Sequence, residues 1–429
     1  LAKGIVIAAP RSGSGKTVVT LGLLAALRRQ GLVVAPAKTG PDYIDPTFLS
    51  RAALREAVNL DPWSMAPARL KSLAAMQAVG ADLLLVEGVM GLFDGAADNF
   101  GSTADLAELL ELPVILVVDA ERQSQSVAAL VAGFAHWRQG VHVRGTILNR
   151  VASMKHERML LDALSATGIP CLGAIPRDAK LVLPERHLGL VLPGEVAAFD
   201  GFIDAAAEAM GDYVNLAPLQ ALAAPIADGA APPPPLAPLG QRIAIARDDA
   251  FAFLYPHLLD GWRQMGAELS FFSPLADAAP APDCDAVFLP GGYPELHGER
   301  LAAAASFRAG LAAARDRDAL IYGECGGFMV LGDALVDKQG QSHAMAGLLP
   351  LTTRIDRPKR ILGYRRLIQS GGLPWPGHLN GHEFHYSSAK QSRLPPLFAA
   401  TDARGEAMPP MGAVIGRVMG SYAHVVDAA

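Results

Sequence analysis

Two short stretches place reactive residue types at spacings that a tightly turning backbone can use. Residues 10–17 read Pro-Arg-Ser-Gly-Ser-Gly-Lys-Thr, after the apolar Gly4–Ala9 and before VVTLGLLAALRR. Gly13 and Gly15 flank Ser14, lack a Cβ and can take φ > 0, so successive N–H groups can converge on phosphate oxygens. Lys16 can then bridge β- and γ-phosphates while Thr17 gives an oxygen to Mg²⁺. This is an ATP-type cradle, although Pro10 stands where the first glycine of the strict pattern would be. The second stretch is Leu320-Ile-Tyr-Gly-Glu-Cys-Gly-Gly-Phe-Met-Val-Leu-Gly332. An apolar strand, small residues around Cys325 and a helical run give the layout of a nucleophile elbow. At a helix N-terminus the thiol of Cys325 is expected to favour thiolate. A base is needed, and His424 in GSYAHVV offers one, with His382 and His385 of GHEFHYS as competitors. The amides of Gly292, in FLPGGYPE, and of Gly326 are the candidate oxyanion hole. Cys171 and Cys284 lie on no glycine-rich turn and read as structural thiols.

Carboxylates cluster in the segments that should leave the same sheet edge as the phosphate loop. Asp42 and Asp45 lie in KTGPDYIDP, which Lys38 opens; Glu87 ends LLLVE, and Asp94 follows seven residues later. A carboxylate ending a buried strand needs a cation or donor, so Glu87 reads as a Mg²⁺ ligand, direct or through water. Asp42 and Asp45 read either with it or as turn caps beside Pro41 and Pro46. Asn149 either faces a nucleotide base or caps its own loop, and Lys38 is counted with the nucleotide-contacting residues.

The elements that must position these groups alternate. Strands are expected at residues 4–8, 32–37, 83–87, 114–118, 143–148 and 171–175, with helices such as 16–29, 66–78 and 124–137 between them. The pattern restarts with strands at 242–246, 268–272, 286–289 and 320–322. Strands apolar on both faces and separated by helices make a parallel sheet covered on both sides. The fold class is therefore α/β, with two domains at 1–214 and 241–429, each a mainly parallel sheet flanked by helices. Asn215 to Gly240, rich in Ala and Pro, reads as a linker.

Composition agrees and excludes alternatives. The 429 residues are 51% hydrophobic and 18% charged, with a formal charge of −5 and 6% aromatics, which disfavours a nucleic-acid binder. No apolar run reaches membrane-helix length, and the first residues are too short an apolar block for a signal peptide. Three scattered cysteines make neither a disulfide framework nor a metal cluster, so a cytoplasmic, reducing location is expected.

Together, GSGKT, KTGPDYIDP, VEGVMGLFDG, ARDDAFAFLYP, FLPGGYPE, GECGGFMVLG, GHEFHYS and GSYAHV resemble the cobyrinic (or hydrogenobyrinic) acid a,c-diamide synthase family of glutamine-dependent amidotransferases. The resemblance covers all but the linker. It implies a P-loop domain similar to dethiobiotin synthetase and a class I-like glutaminase domain, consuming ATP with Mg²⁺ and L-glutamine to amidate a corrinoid polycarboxylate. By resemblance Cys325 is the nucleophile and His424 its base. Lys16, Glu87, Asp42 and Asp45 then serve Mg-ATP and acyl-phosphate chemistry, and Asp94 the substrate carboxylate. One departure stands out: the class I position for a third triad member, two residues after the histidine, is Val426, with Asp427 one position off. Arg354, Arg357, Lys359, Arg360, Arg365 and Arg366 form a basic run that reads as a substrate contact or as a solvated face. The expected assembly is a monomer or homodimer without nucleic acid or membrane. Other readings are a cobyric acid or nickel-sirohydrochlorin amidotransferase, or a switch ATPase of the deviant Walker type. The last places a lysine where this chain has Arg11.

Overall fold

The computed structural model describes residues 2–183, 199–227, 233–391 and 394–429, and the chain divides into two units between Pro233 and Pro234. In the first, strands β1 (Lys3–Ala8), β2 (Val34–Thr39), β3 (Val58–Leu60), β4 (Leu83–Glu87), β5 (Val114–Asp119), β6 (Val143–Val151) and β7 (Cys171–Pro176) lie in the order β3-β2-β4-β1-β5-β6-β7. Every neighbouring pair in that order is parallel. Eight helices accompany the sheet among the described residues: α1 (Lys16–Arg29), α2 (Asp45–Ala53), α3 (Pro67–Ala78), α4 (Thr103–Leu109), α5 (Ser126–His136), α6 (Met154–Ser165), α7 (Phe199–Tyr213) and α8 (Leu216–Leu222). Strand order reverses on either side of β1, so a crevice opens at its C-terminal end, where doubly wound sheets bind ligands. Register explains which side chains meet there: Lys38 and Ile7 both pair with Glu87, and Asp119 pairs with Asn149.

Helix α1 is apolar nearly all round and is buried between the sheet and α7. Gly22 permits that approach, since a Cβ there would come 2.7 Å from the Ala206 carbonyl oxygen.

The segment read as a linker is folded at both ends. Helix α8 buries Leu216 and Leu219, and β8 (Ala224–Pro225) pairs antiparallel with the start of β1. On the far side Leu236 and Leu239 are buried in the second unit, and Trp375 Nε1 donates to the Ala237 carbonyl at 2.8 Å. Leucines spaced three apart within an Ala/Pro background are too sparse to reveal such a face. Residues 228–232 of that segment lie outside the described residues.

The second unit holds β9 (Arg242–Ala246), β10 (Glu268–Phe272), β11 (Ala286–Leu289), β12 (Leu320–Glu324), β13 (Ala334–Val336), β14 (Ser342–Ala344), β15 (Leu351–Arg354), β16 (Ile361–Gln369), β17 (His378–His385), β18 (Ser388–Gln391), β19 (Phe398–Asp402), β20 (Ala413–Ile415), β21 (Val418–Ser421) and β22 (Ala423–Ala428). Its helices are α9 (Pro256–Gln264), α10 (Gly298–Ala303), α11 (Ala305–Asp316) and α12 (Gly326–Leu331). The main sheet runs β10-β9-β11-β12-β21-β20, parallel except for β20. Two further four-stranded sheets, β14-β13-β15-β18 and β19-β16-β17-β22, are largely antiparallel and are additional to the α/β pattern read from sequence. Their strands are half-polar, as β16 shows, and lack the continuous apolar runs that mark the parallel strands.

Candidate active sites

In the first unit the phosphate loop joins β1 to α1. Gly13 and Gly15 have φ of 79° and 83°, and among the described residues no side chain caps α1, so its first amides are left for a ligand. The loop is fastened from behind. Asn149 Nδ2 donates to the Ser14 carbonyl at 2.9 Å, and Arg150 donates to the Gly13 carbonyl at 3.0 Å and to Asp119 at 2.9 Å. Asn149 also accepts the Arg150 N–H at 3.0 Å, so its amide is committed to loop structure. A Cβ on Gly15 would collide with that amide, which explains the glycine independently of φ.

Five charged residues, Lys16, Lys38, Asp42, Asp45 and Glu87, meet in front of the loop. Thr17 Oγ1 donates to Glu87 Oε1 at 2.6 Å, and the amines of Lys16 and Lys38 lie 3.4 and 3.2 Å from the same oxygen. Lys38 also pairs with Asp45 and donates to the Gly88 carbonyl at 3.2 Å. Burial acts to neutralise Lys38, yet Asp45 and Glu87 outweigh it and hold the amine charged. Lys16 goes the other way: burial and the Lys38 charge lower it below the ordinary lysine range. Burial alone would raise Asp45, but Lys38 and Lys16 hold it below the carboxylate norm. Asp42 is pushed up to about 6 by burial and by Asp45. Its Oδ1 accepts the N–H groups of Ile44 and Asp45, so it caps the turn as well as joining the cluster.

Glu87 Oε2 is buried and has no hydrogen-bond partner among the described residues. With Thr17 beside it, this gives the hard oxygen donors that suit Mg²⁺. No group of three or more His, Cys, Asp or Glu among the described residues is arranged as a metal cage. A divalent ion here would therefore depend on Thr17, Glu87 and phosphate oxygens, the usual habit of Mg²⁺. A cavity of about 550 Å³ beside the loop is lined by Lys16, Thr17, Asp45, Asn149, Arg150 and Leu181 among others, well within the range of small-molecule sites. Asp94 stands apart: it is exposed, and its Oδ2 accepts the Gly91 N–H at 2.9 Å, ordering its own loop. Asn59, which the sequence reading missed, donates to the Gly40 and Asp42 carbonyls at 2.8 and 2.7 Å.

In the second unit β12 turns sharply into α12 at Cys325, whose φ of 46° and ψ of −105° lie outside the helical and extended regions. Such a backbone stores on the order of 1–3 kcal/mol and occurs mainly at functional turns. The thiol is buried and lies 3.8 Å from the Phe384 carbonyl oxygen. Burial pushes it well above the ordinary thiol range, and Glu295, Glu383 and Glu324 push the same way against the Gly326 N–H. The expectation that the helix terminus favours thiolate is therefore corrected for the resting chain: desolvation wins. Gly292 and Gly326 adjoin, since a Cβ on Gly326 would sit 3.0 Å from the Gly292 nitrogen.

His424 lies on β22, paired in register with His382, and its ring edge fills the space a Cβ on Gly291 would take. Burial, then His382 and His385, hold it neutral, well below the ordinary histidine range. Its Nδ1 is 3.7 Å from Glu324 Oε2. Glu324 is the second residue that sequence reasoning missed, although it directly precedes Cys325. The competing histidines are otherwise engaged. His385 contacts Glu383 and the Ser387 carbonyl, each at 2.8 Å, and stacks on Tyr422 at 3.8 Å. His382 is lowered to about 3 by burial and by the Arg365 charge. Arg365 also dissolves the basic run as a single face: it is buried and bonds Glu383 at 2.8 Å, while Arg354 pairs with Asp356.

Residues 5–191 match the CobQ/CobB/MinD/ParA nucleotide binding domain, and residues 242–428 match the CobB/CobQ-like glutamine amidotransferase domain. Across the whole chain, the hydrogenobyrinate a,c-diamide synthase of Brucella suis biovar 1 (strain 1330) is 54% identical over 99% of this chain and 98% of that protein. The enzymes of that name from Rhizobium meliloti (strain 1021) and Rhodobacter capsulatus are 52% and 48% identical, over 99% of this chain and 99% and 98% of theirs. With a fastened phosphate loop in one unit and a strained cysteine turn in the other, over the full length of such relatives, the chain belongs to the hydrogenobyrinate a,c-diamide synthase family.

Proposed function

We propose that this protein converts two carboxylates of hydrogenobyrinate, the a and c side chains, to amides at the expense of ATP and glutamine, in cobalamin biosynthesis. The observation that carries this reading is the strained Cys325 turn, standing in a chain that also holds a phosphate loop with Lys16 and Thr17 against Glu87.

In the first unit, Lys16 and the loop amides stabilise charge as the γ-phosphoryl of ATP passes to a substrate carboxylate oxygen, giving an acyl phosphate and ADP. Mg²⁺ held by Thr17 and Glu87, with Asp42 nearby, would neutralise phosphate charge there. Lys38 and Asp45 form the buried ion pair that keeps both groups charged beside the reacting oxygens.

In the second unit the Cys325 thiol gives its proton to His424 and attacks the glutamine amide carbon. The oxyanion is met by the Gly292 and Gly326 amides. Ammonia leaves with the proton from His424, water hydrolyses the thioester to glutamate, and the thiol is restored. Ammonia then displaces phosphate from the acyl phosphate, and the cycle repeats at the second carboxylate. A cytoplasmic location fits three cysteines that are all unpaired as disulfides.

The test is a mass measurement. Incubation with ATP, glutamine and hydrogenobyrinate should yield a product carrying two carboxylate-to-amide changes. Cobyrinate or nickel-sirohydrochlorin amidated in preference to hydrogenobyrinate would move the assignment to a sister activity.

A further inference from the structure

The glutaminase reading leaves one role unassigned. A histidine that accepts a thiol proton at Nε2 must carry its own proton on Nδ1, and a carboxylate usually fixes that tautomer and steadies the imidazolium. Two residues after His424 stands Val426, and Asp427 Oδ1 accepts the Ala428 N–H at 2.9 Å.

Glu324 is placed for the task. It is 2% exposed, at the end of β12, one residue before the nucleophile. Its Oε1 accepts the Val425 N–H at 3.0 Å and the Tyr322 O–H at 2.9 Å. Those donors orient the carboxyl and leave Oε2 facing His424 Nδ1, 3.7 Å away. The same carboxyl thus grips the backbone next to the base and faces its ring. A separation of this size is common for catalytic contacts before substrate arrives and closes with a small torsion. Two further titratable neighbours of the imidazole, His382 and His385, disfavour its protonated form.

Resting on the reading of Cys325 and His424 as the glutaminase pair, we propose that Glu324 is the positioning carboxylate of that centre. Once ionised, it holds His424 in the tautomer whose Nε2 can take the thiol proton, and it replaces the carboxylate missing from position 426.

Glu324→Gln tests this with little change of shape. The amide oxygen still receives Val425 and Tyr322, but the amide NH₂ now donates to Nδ1 and drives the ring proton to Nε2. Glutamine-driven kcat should fall about 10²- to 10⁴-fold, with KM for glutamine and ammonia-driven amidation unchanged. The pH midpoint for alkylation of Cys325 by iodoacetamide should rise by about one unit or more. An unchanged kcat and alkylation midpoint in Glu324→Gln, while His424→Ala abolishes glutamine use, overturns the role of Glu324 and leaves the pair standing. Normal glutamine use by His424→Ala overturns the underlying reading instead. Should Glu324→Gln not fold, Tyr322→Phe, which keeps the ring and removes one orienting donor, decides. An upward shift of its alkylation midpoint supports the proposal, and no shift rejects it.

Discussion

The two centres set opposite electrostatic conditions for their substrates. In the first unit two amines, the half-buried Lys16 and the buried Lys38, converge with Glu87 beside a cavity of about 550 Å³ at the start of α1. In the second, a buried thiol stands among Glu295, Glu324 and Glu383, and the nearest bases are neutral histidines. Cationic placement is what phosphate needs on arrival, so the first centre is charged before its ligand comes. The thiol itself is held protonated at rest. Desolvation keeps the Cys325 thiol protonated, so the proposed attack on glutamine depends on a base to take its proton. Charge is therefore placed at the phosphate loop of one unit and withheld from the thiol of the other.

The strongest way to break this contrast is to remove the phosphate-side cation. Lys16→Ala should reduce both glutamine-driven and ammonia-driven amidation by about 10³-fold, since ATP chemistry serves both, while alkylation of Cys325 stays normal. Next is a change confined to the thiol side. Gly291→Ala pushes a methyl into the His424 ring and should lower glutamine-driven turnover about 10²-fold with ammonia-driven turnover intact. Equal losses with the two nitrogen donors would show that the centres are not separable in this way.

A smaller effect sharpens the loop side. Asn149→Ala removes the bond to the Ser14 carbonyl, so KM for ATP should rise by roughly 5-fold, about 1 kcal/mol, with kcat for glutamine hydrolysis unchanged. A changed preference between ATP and GTP in this variant would instead favour base recognition by Asn149.

The least direct consequence appears in stability. Burial raises Glu324 to about 8, so between the unfolded carboxyl value near 4.5 and pH 8 the folded resting chain binds the extra proton, and the ionised form that orders His424 is reached as pH rises toward 8. Stability should then fall as pH rises through that window, by a few kcal/mol in order of magnitude. Glu324→Gln carries no titrating proton, so its thermal midpoint in the full chain should vary less between pH 5 and 8 than that of the parent. Identical pH profiles would contradict the burial argument.

The phosphate loop and the Cys325 turn were legible because glycine placement and strand-to-helix context act locally. The Asp42, Asp45 and Glu87 group was legible because those acids end apolar strands or follow them directly. Lys38 sits beside Glu87 through strand register, which a linear reading does not supply. Glu324 was hidden for the same reason: its neighbour in sequence is Cys325, but the ring it faces, His424, is 100 residues away. Asp94 shows the converse, a residue carried by resemblance whose carboxyl orders its own turn. Arg365 looked like surface charge because its run is basic, yet alternation along β16 turns it inward to Glu383. The small sheets escaped notice because half-polar strands leave a weak apolar signal, although they supply β22 and hence His424.

The central claim is that one thiol supplies nitrogen to a separate ATP-driven centre. Amidation of hydrogenobyrinate by the Cys325→Ser protein, measured side by side with glutamine and with ammonium as nitrogen donor, tests it directly. The account predicts no glutamine-driven product and an undiminished ammonium-driven rate. Glutamine-driven product at the parent rate, or loss of both, would contradict it.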